Sequence, residues 1–297
     1  MPRAALLSIH ARVEETGPET WEDPSLVQVW GPRFSAYVVA KRDVAIFTLG
    51  RLPDEGTRRR RAEETAARLH GFLDGRTMTY GEAGRGLGVQ PNSLRYATLT
   101  GTVLIRWDGA RQPTIWTGPP PKIDPVDARL ELARRYLHVF GPATAAGFGN
   151  WAGIKPPRAV ATFEALEASL IPVRTPVGDA WILGSDEPAF EADAAPTAAA
   201  RLLPSGDAFF LLQGRDRELL VPEAARRSQL WTSRVWPGCL LVDGEPAGIW
   251  RRADAKVTIE PWRRLSVAER EAVEAEAASL PLPGLQGRIE ERWLTDG

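Results

Sequence analysis

Two short stretches of this sequence place amide and cationic side chains directly after the same kind of joint: "GLGVQPNSLRY" at 86–96 and "WAGIKPPRAVA" at 151–161. In the first, Gln90, Asn92 and Arg95 follow Gly88; in the second, Lys155 and Arg158 follow Gly153. Arg106, Arg111 and Arg174 come somewhat later, in or beside strand-like runs. Guanidinium and ammonium groups neutralise phosphates, and Gln and Asn carry donor–acceptor pairs that match base edges. Residues of these types on a short helix and an adjoining hairpin have the chemistry needed to hold double-stranded DNA. Any one of them taken alone fits ordinary surface charge equally well.

The elements that must position these groups are legible as a repeat. Gly88 and Gly153, Pro91 and Pro156, Thr79 and Thr144, Val89 and Ile154, Gln90 and Lys155, and Trp116 and Trp181 all stand at one constant offset, which points to two copies of one unit. In the first copy Thr79 and Glu82 fit a capping box at a helix start. Gly88 suits the left-handed position that ends that helix, and Pro91 suits the first position of the next. "TVLIRWDGARQPTIWT" then reads as a β-hairpin turning at Asp108-Gly109. Helix, glycine turn, helix and hairpin make a winged helix. The second copy has Thr144 as a cap without the reciprocal Glu, Phe148 and Trp151 as core anchors, and a second helix with Ala159, Val160, Phe163 and Leu166 on one face. Its wing turns near Gly178. A preceding helix over 128–140 repeats Leu130, Ala133, Leu137 and Phe140 and packs beneath the pair.

Elsewhere the patterning is plainer. "SLVQVWGPRFSAYVV" is a strand pair around Gly31-Pro32, and a helix after Thr57 carries Ala62, Ala66, Leu69 and Leu73. In the run Arg58-Arg59-Arg60-Arg61, Glu63 and Glu64 lie one helical turn on from Arg59 and Arg60, which reads as a solvated face with i,i+4 pairs. "PTAAARLLPSG" reads as a linker. "DAFFLLQG", "GCLLVDGEPAGIW" and "AKVTIEPW" read as short strands of a small barrel or curled sheet, and Ser266 caps a final helix through Leu280. The fold class is therefore α+β, with tandem winged helices followed by a small C-terminal β-barrel. The expected divisions are 1–73 (a partial first winged helix and a linking helix), 74–122 and 123–193 (two full winged helices), and 194–297 (the barrel-like domain with its C-terminal helix).

Composition excludes several classes of chemistry. Cys239 stands alone and the histidines are His10, His70 and His138, which argues against a disulfide framework and against a metal site. No P-loop or G-x-S-x-G elbow is present, and the paired glycines of "GRGLG" and "GFGNWAG" sit in helical surroundings unsuited to a dinucleotide, so no cofactor is expected. The N-terminal stretch lacks the apolar run of a signal peptide and no stretch is long enough to span a bilayer, so the expectation is a cytoplasmic, membrane-free monomer. A net charge of −1 gives no global pull toward a polyanion. Arginines are nonetheless concentrated between Arg215 and Arg264, Arg251 and Arg252 among them, while Glu269, Glu271, Glu274, Glu276, Glu290 and Glu291 crowd the C-terminal end. A basic lining with an acidic exterior would hold DNA in a cleft and limit non-specific coating.

"RYLHVFGPATAAGFGNWAGI", "LLPSGDAFFLLQGRDRELLVP" and "LLVDGEPAGIWRRADAKVTIEPW" resemble the winged-helix DNA-binding proteins of the AlkZ/YcaQ-like DNA glycosylase family, over roughly residues 4–293. The resemblance implies three tandem winged helices and a C-terminal barrel cupped around duplex DNA, and, in active members, hydrolysis of the N-glycosidic bond of alkylated or cross-linked bases. It also implies a catalytic Gln-x-Gln pair ahead of a helix that corresponds here to Pro2, Ala5, Ala11 and Arg12, so that the pair falls before Met1. Gln28, on a strand, is no substitute for it. Asp207 in "LLPSGD" is either a functional carboxylate or the cap of a barrel turn. Three readings follow: a DNA-binding repair protein, an active glycosylase if an upstream Gln-x-Gln is encoded, and a regulator or protein-interaction module.

Overall fold

The computed structural model describes residues 2–107, 111–192, 198–212, 214–284 and 287–294. The chain is mixed α+β and forms two compact units: Glu22–Glu187, and the segment Arg3–Trp21 together with the residues from Pro188 onward. The N-terminal segment, assigned from sequence to the first winged helix, thus belongs with the C-terminal unit.

In the first unit, strands β1 (Leu26–Trp30) and β2 (Ala36–Ala40) form an antiparallel pair, followed by helices α1 (Val44–Leu49) and α2 (Thr57–Leu73). Strand β3 (Met78–Thr79) leads into α3 (Tyr80–Leu87), a 3₁₀ segment over Pro91–Thr100, and strands β4 (Val103–Arg106) and β5 (Thr114–Thr117). All five strands join one sheet in the order β2-β1-β4-β5-β3, with Gln28 opposite Ile105. The strand pair and the first repeat therefore share one sheet. Ala66, Leu69 and Leu73 of α2 pack with Leu94, Val103, Ile105 and Ile115 as the core between helices and sheet. The turn expected at Asp108-Gly109 lies outside the described residues.

The second repeat follows as α4 (Pro125–Phe140), α5 (Ala145–Ala152), α6 (Pro156–Leu166) and the hairpin of β6 (Leu170–Thr175) with β7 (Gly178–Leu183). Its local rules match those of the first. Thr79 and Thr144 both cap a helix, Thr79 in a full capping box with Glu82 and Thr144 by accepting from Gly147 N. Gly88 and Gly153 end those helices at φ 64° and 73°, in the left-handed region that a side chain strains. Pro91 and Pro156 open the next segments.

Three local differences have identifiable causes. The segment after Pro91 is 3₁₀ rather than α, and the hydroxyls of Ser93, Thr98 and Thr100 each bond a carbonyl three residues back, which favours the tighter winding. Helix α4 begins at Pro125, three residues before the predicted start, where Asp124 caps it by accepting from Val126 N and Pro125 suits the first helical position. Val160 is exposed, and Thr162 joins Ala159, Phe163 and Leu166 on the buried face.

The second unit contains α7 (Pro2–His10), α8 (Glu187–Glu191), β8 (Ala200–Leu203), α9 (Arg217–Leu220), α10 (Ala224–Leu230), β9 (Gly238–Val242), β10 (Glu245–Ala253), β11 (Lys256–Pro261), α11 (Val267–Ser279) and β12 (Glu290–Trp293). Its strands make one five-stranded sheet in the order β12-β11-β10-β9-β8. The predicted barrel is thus an open sheet: among the described residues no pairing joins β12 to β8. Ala200–Leu203, read from sequence as linker, is an edge strand, and "DAFFLLQG" is a 3₁₀ turn over Ala208–Phe210, since Asp207 caps it by accepting from Phe209 N at 2.9 Å. Glu276 is not on the exterior; it is 8% exposed, accepts from Leu202 N and pairs with Arg201.

Candidate nucleic-acid interface

In the first unit, both repeats expose polar groups just past their glycine turns. Gln90 precedes Pro91 with no capping bond of its own, and Asn92 is exposed beside it. Lys155 occupies the equivalent place before Pro156 and is exposed as well. A side chain that caps nothing at this position is available for an external partner.

The arginines are more constrained. Arg158 donates from Nε to Asp54 at 2.8 Å, and Asp54 also accepts from Arg129 at 2.5 Å. Burial alone would raise the Asp54 carboxyl, but the two guanidiniums outweigh it and hold the group below the usual carboxylate range. Arg106 pairs with Glu22 at 3.0 Å. Arg174 stands almost fully in solvent, 3.8 Å from an equally exposed Asp179. Arg111 is exposed, and its carbonyl accepts from Trp107 Nε1 at 2.7 Å. Exposed pairs of this kind contribute little to stability and exchange readily for a phosphate.

Arg95 is half-buried, its guanidinium 5.4 Å from the ring centres of both Phe34 and Tyr96. Phe34 belongs to the β1–β2 loop, where Arg33 and Phe34 take left-handed φ of 54° and 56°. Two adjacent non-glycine residues in that region are strained, and such strain concentrates at functional loops. Arg51 secures the loop: it is 6% exposed, donates to Trp30 O and Ala152 O at 2.9 Å each, and lies 5.0 Å above the Phe34 ring. Burial pushes its guanidinium down to about 10. Neither Phe34 nor Arg51 was identified from sequence; the only signal was an arginine inside an otherwise apolar run.

Gln28 is a buried residue of β1, and its Oε1 accepts from Trp107 N at 2.8 Å. Trp30, two residues on, donates from Nε1 to the Tyr80 hydroxyl and lies 5.9 Å from the Trp107 ring. The tie from Gln28 fixes the end of β4 and leaves its amide group integrated in the sheet.

In the second unit, Asp207 is 1% exposed and Arg12 grips it with both terminal nitrogens, at 2.7 and 2.9 Å. Its oxygens are therefore engaged by Arg12 and Phe209 N. Arg251 is exposed and Arg252 partly so, on β10. Arg217 lies 5.0 Å over Trp231 and 5.5 Å from Trp236, while Arg263 pairs with Glu269 at 2.6 Å. The arginine excess of this region is thus partly structural. No cluster of three or more potential metal ligands occurs among the described residues, and none of their helices is long and apolar enough to cross a membrane.

Three comparisons bear on this arrangement. The family model for AlkZ-like DNA glycosylases matches residues 1–281. An interstrand DNA cross-link repair glycosylase of Streptomyces sahachiroi is 24% identical over 254 residues, covering 75% of this chain and 66% of the relative, just under two thirds of its length. The solved structure of Streptomyces sahachiroi DNA glycosylase AlkZ superposes with a TM-score of 0.74 at 21% identity, covering 96% of this chain and 86% of that one. With the family model spanning nearly all of the sequence, the chain belongs to the AlkZ-like DNA glycosylase family.

Proposed function

We propose that this protein binds double-stranded DNA in the repair of alkylated or cross-linked bases. The observation that carries the reading is the duplicated unit of capped helix, left-handed glycine turn, proline-led second segment and hairpin, which we read as winged helices over 74–122 and 123–193. In each, exposed polar groups (Gln90 and Asn92, or Lys155) stand at the start of the second segment, where a groove-reading helix presents its base contacts. Arg95, Arg106, Arg111, Arg158 and Arg174 supply phosphate contacts from the same segments and hairpins, with Arg251 and Arg252 contributing from the C-terminal sheet. No cofactor or metal is required for this role.

A second reading, cleavage of the N-glycosidic bond, is favoured by the family to which the chain belongs and by the activity for which its Streptomyces relative is named. Such cleavage needs a positioned water and stabilisation of positive charge on the sugar. Asp207, locked by Arg12, is poorly placed to supply either. An assay with duplexes carrying N7-alkylguanine or an interstrand cross-link separates the readings. Binding without base release is the expected result for residues 1–297; robust, enzyme-dependent release establishes the glycosylase, and absence of duplex binding rejects both.

A further inference from the structure

The arginine run at the start of α2 is a solvated face, with Arg58, Arg60 and Arg61 exposed, but its members differ in what they touch. Arg59 pairs with Glu63 at 2.8 Å, and Arg60 turns back to the Thr57 hydroxyl. Arg61 instead lies 4.7 Å over the Tyr96 ring. Tyr96 meets Phe34 edge to face at 5.0 Å, and Arg95 sits against both rings. Arg51 covers Phe34 at the buried end. The result is a continuous stack of Arg51, Phe34, Arg95, Tyr96 and Arg61.

Among the described residues no carboxylate forms an ion pair with Arg51, Arg58, Arg61 or Arg95. Asp54 is committed to Arg129 and Arg158 and Glu63 to Arg59, while Glu55 and Glu64, which flank the run, form no ion pair with it among the described residues. Like charges held this close repel, and the first turn of α2 carries no acid to offset the positive end of its own dipole. The Nε of Arg95 is buried with no partner. Arg95 beside the Tyr96 hydroxyl holds that group below its ordinary value, with Arg61 and Arg58 adding to the effect. The rings orient the guanidiniums without neutralising them.

We propose that this stack, together with the exposed Arg58 three residues before Arg61 on α2, is a phosphate-binding face for duplex DNA, in which Arg58, Arg61 and Arg95 take backbone phosphates beside Tyr96. The strained Arg33-Phe34 loop and Arg51 hold its inner end in place. The inference rests on the DNA-binding reading and adds to it a face that includes the start of α2.

The test is the dependence of affinity on salt, measured with an undamaged, fluorescently labelled duplex. Each phosphate contact contributes a log–log slope of about −0.9. R58A and R61A, both at exposed positions, are expected to make the slope shallower by about 0.9 each, and R58A/R61A by about twice that. R60A removes the same charge from the same helical turn at a residue whose guanidinium turns back to the Thr57 hydroxyl, and is expected to keep the wild-type slope. Unaltered melting temperatures verify folding. Wild-type slopes in R58A and R61A, with the wild type itself salt-dependent, overturn this face while leaving DNA binding intact. A loss in R60A equal to that in R61A likewise overturns it in favour of diffuse charge. A wild type that fails to bind rejects the underlying reading.

Discussion

Arg12 and Asp207, 195 positions apart in the chain, meet through two parallel hydrogen bonds of 2.7 and 2.9 Å, with the carboxylate fully buried and the guanidinium half exposed. The pair fastens the chain just past α7 to the turn ahead of Phe209, both within the second unit. A buried carboxylate that loses such a partner is left without compensation. R12A and D207N are each expected to lower unfolding stability by about 1.5–3 kcal/mol, the range for hydrogen bonds to charged groups. Duplex affinity should be unchanged in D207N. Urea titrations and DNA binding on the same preparations check both statements; a D207N protein of wild-type stability would remove the structural role.

Trp151 is 6% exposed and packs against Tyr136, Phe140, Phe148 and Phe47, with ring separations of 5.2 to 6.5 Å. That is a core position, not a wedge offered to a DNA base. W151A is expected to cost roughly 3–5 kcal/mol in chemical denaturation.

These two residues mark how far the sequence reaches. The repeat around Gly88 and Gly153 was legible because capping, left-handed glycine and proline placement are local rules, and Trp151 was legible because its helix has a regular apolar face. Asp207 remained ambiguous, since its partner Arg12 is distant in sequence and only folding brings the two together. The candidate phosphate-binding residues were legible as residue types, but the engagement of Arg106 by Glu22 and of Arg158 by Asp54 was not. The Arg58–Arg61 run was legible as an exposed face with Arg59 paired to Glu63 one turn on, but the contact of Arg61 with the Tyr96 ring was not. The sheet of the second unit was read as a barrel because alternation marks strands and says nothing of whether the last one pairs with the first.

Cys239 lies in β9 with no exposure, and burial, reinforced by the charge of Asp207, pushes its thiol up to about 12. A thiol in that state is neither ionised nor accessible at neutral pH. It is expected to be inert to a disulfide reagent in the native protein at pH 8 and to react stoichiometrically in denaturant. Rapid labelling of the folded protein would contradict its placement.

Glu269 closes the capping box of α11 and accepts from Arg263 at 2.6 Å. The Arg263 guanidinium, with the Ser266 amide and hydroxyl, holds its carboxyl at about 2. Because the folded value lies below the unfolded one, this interaction favours folding above the ordinary carboxylate range and is lost as pH falls from about 4 toward 2. NMR titration of the Glu269 carboxyl is expected to give a midpoint well below that of the other exposed glutamates, and R263A is expected to return it toward the ordinary value.

If this protein grips duplex DNA through several phosphate contacts, added salt must weaken its binding. The most direct test is equilibrium binding of an undamaged duplex to the wild-type protein across a series of salt concentrations. Affinity is expected to fall linearly on log–log axes with a slope steeper than about −3, as several contacts at about −0.9 each require. Absence of binding at low salt, or an affinity indifferent to salt, would contradict it.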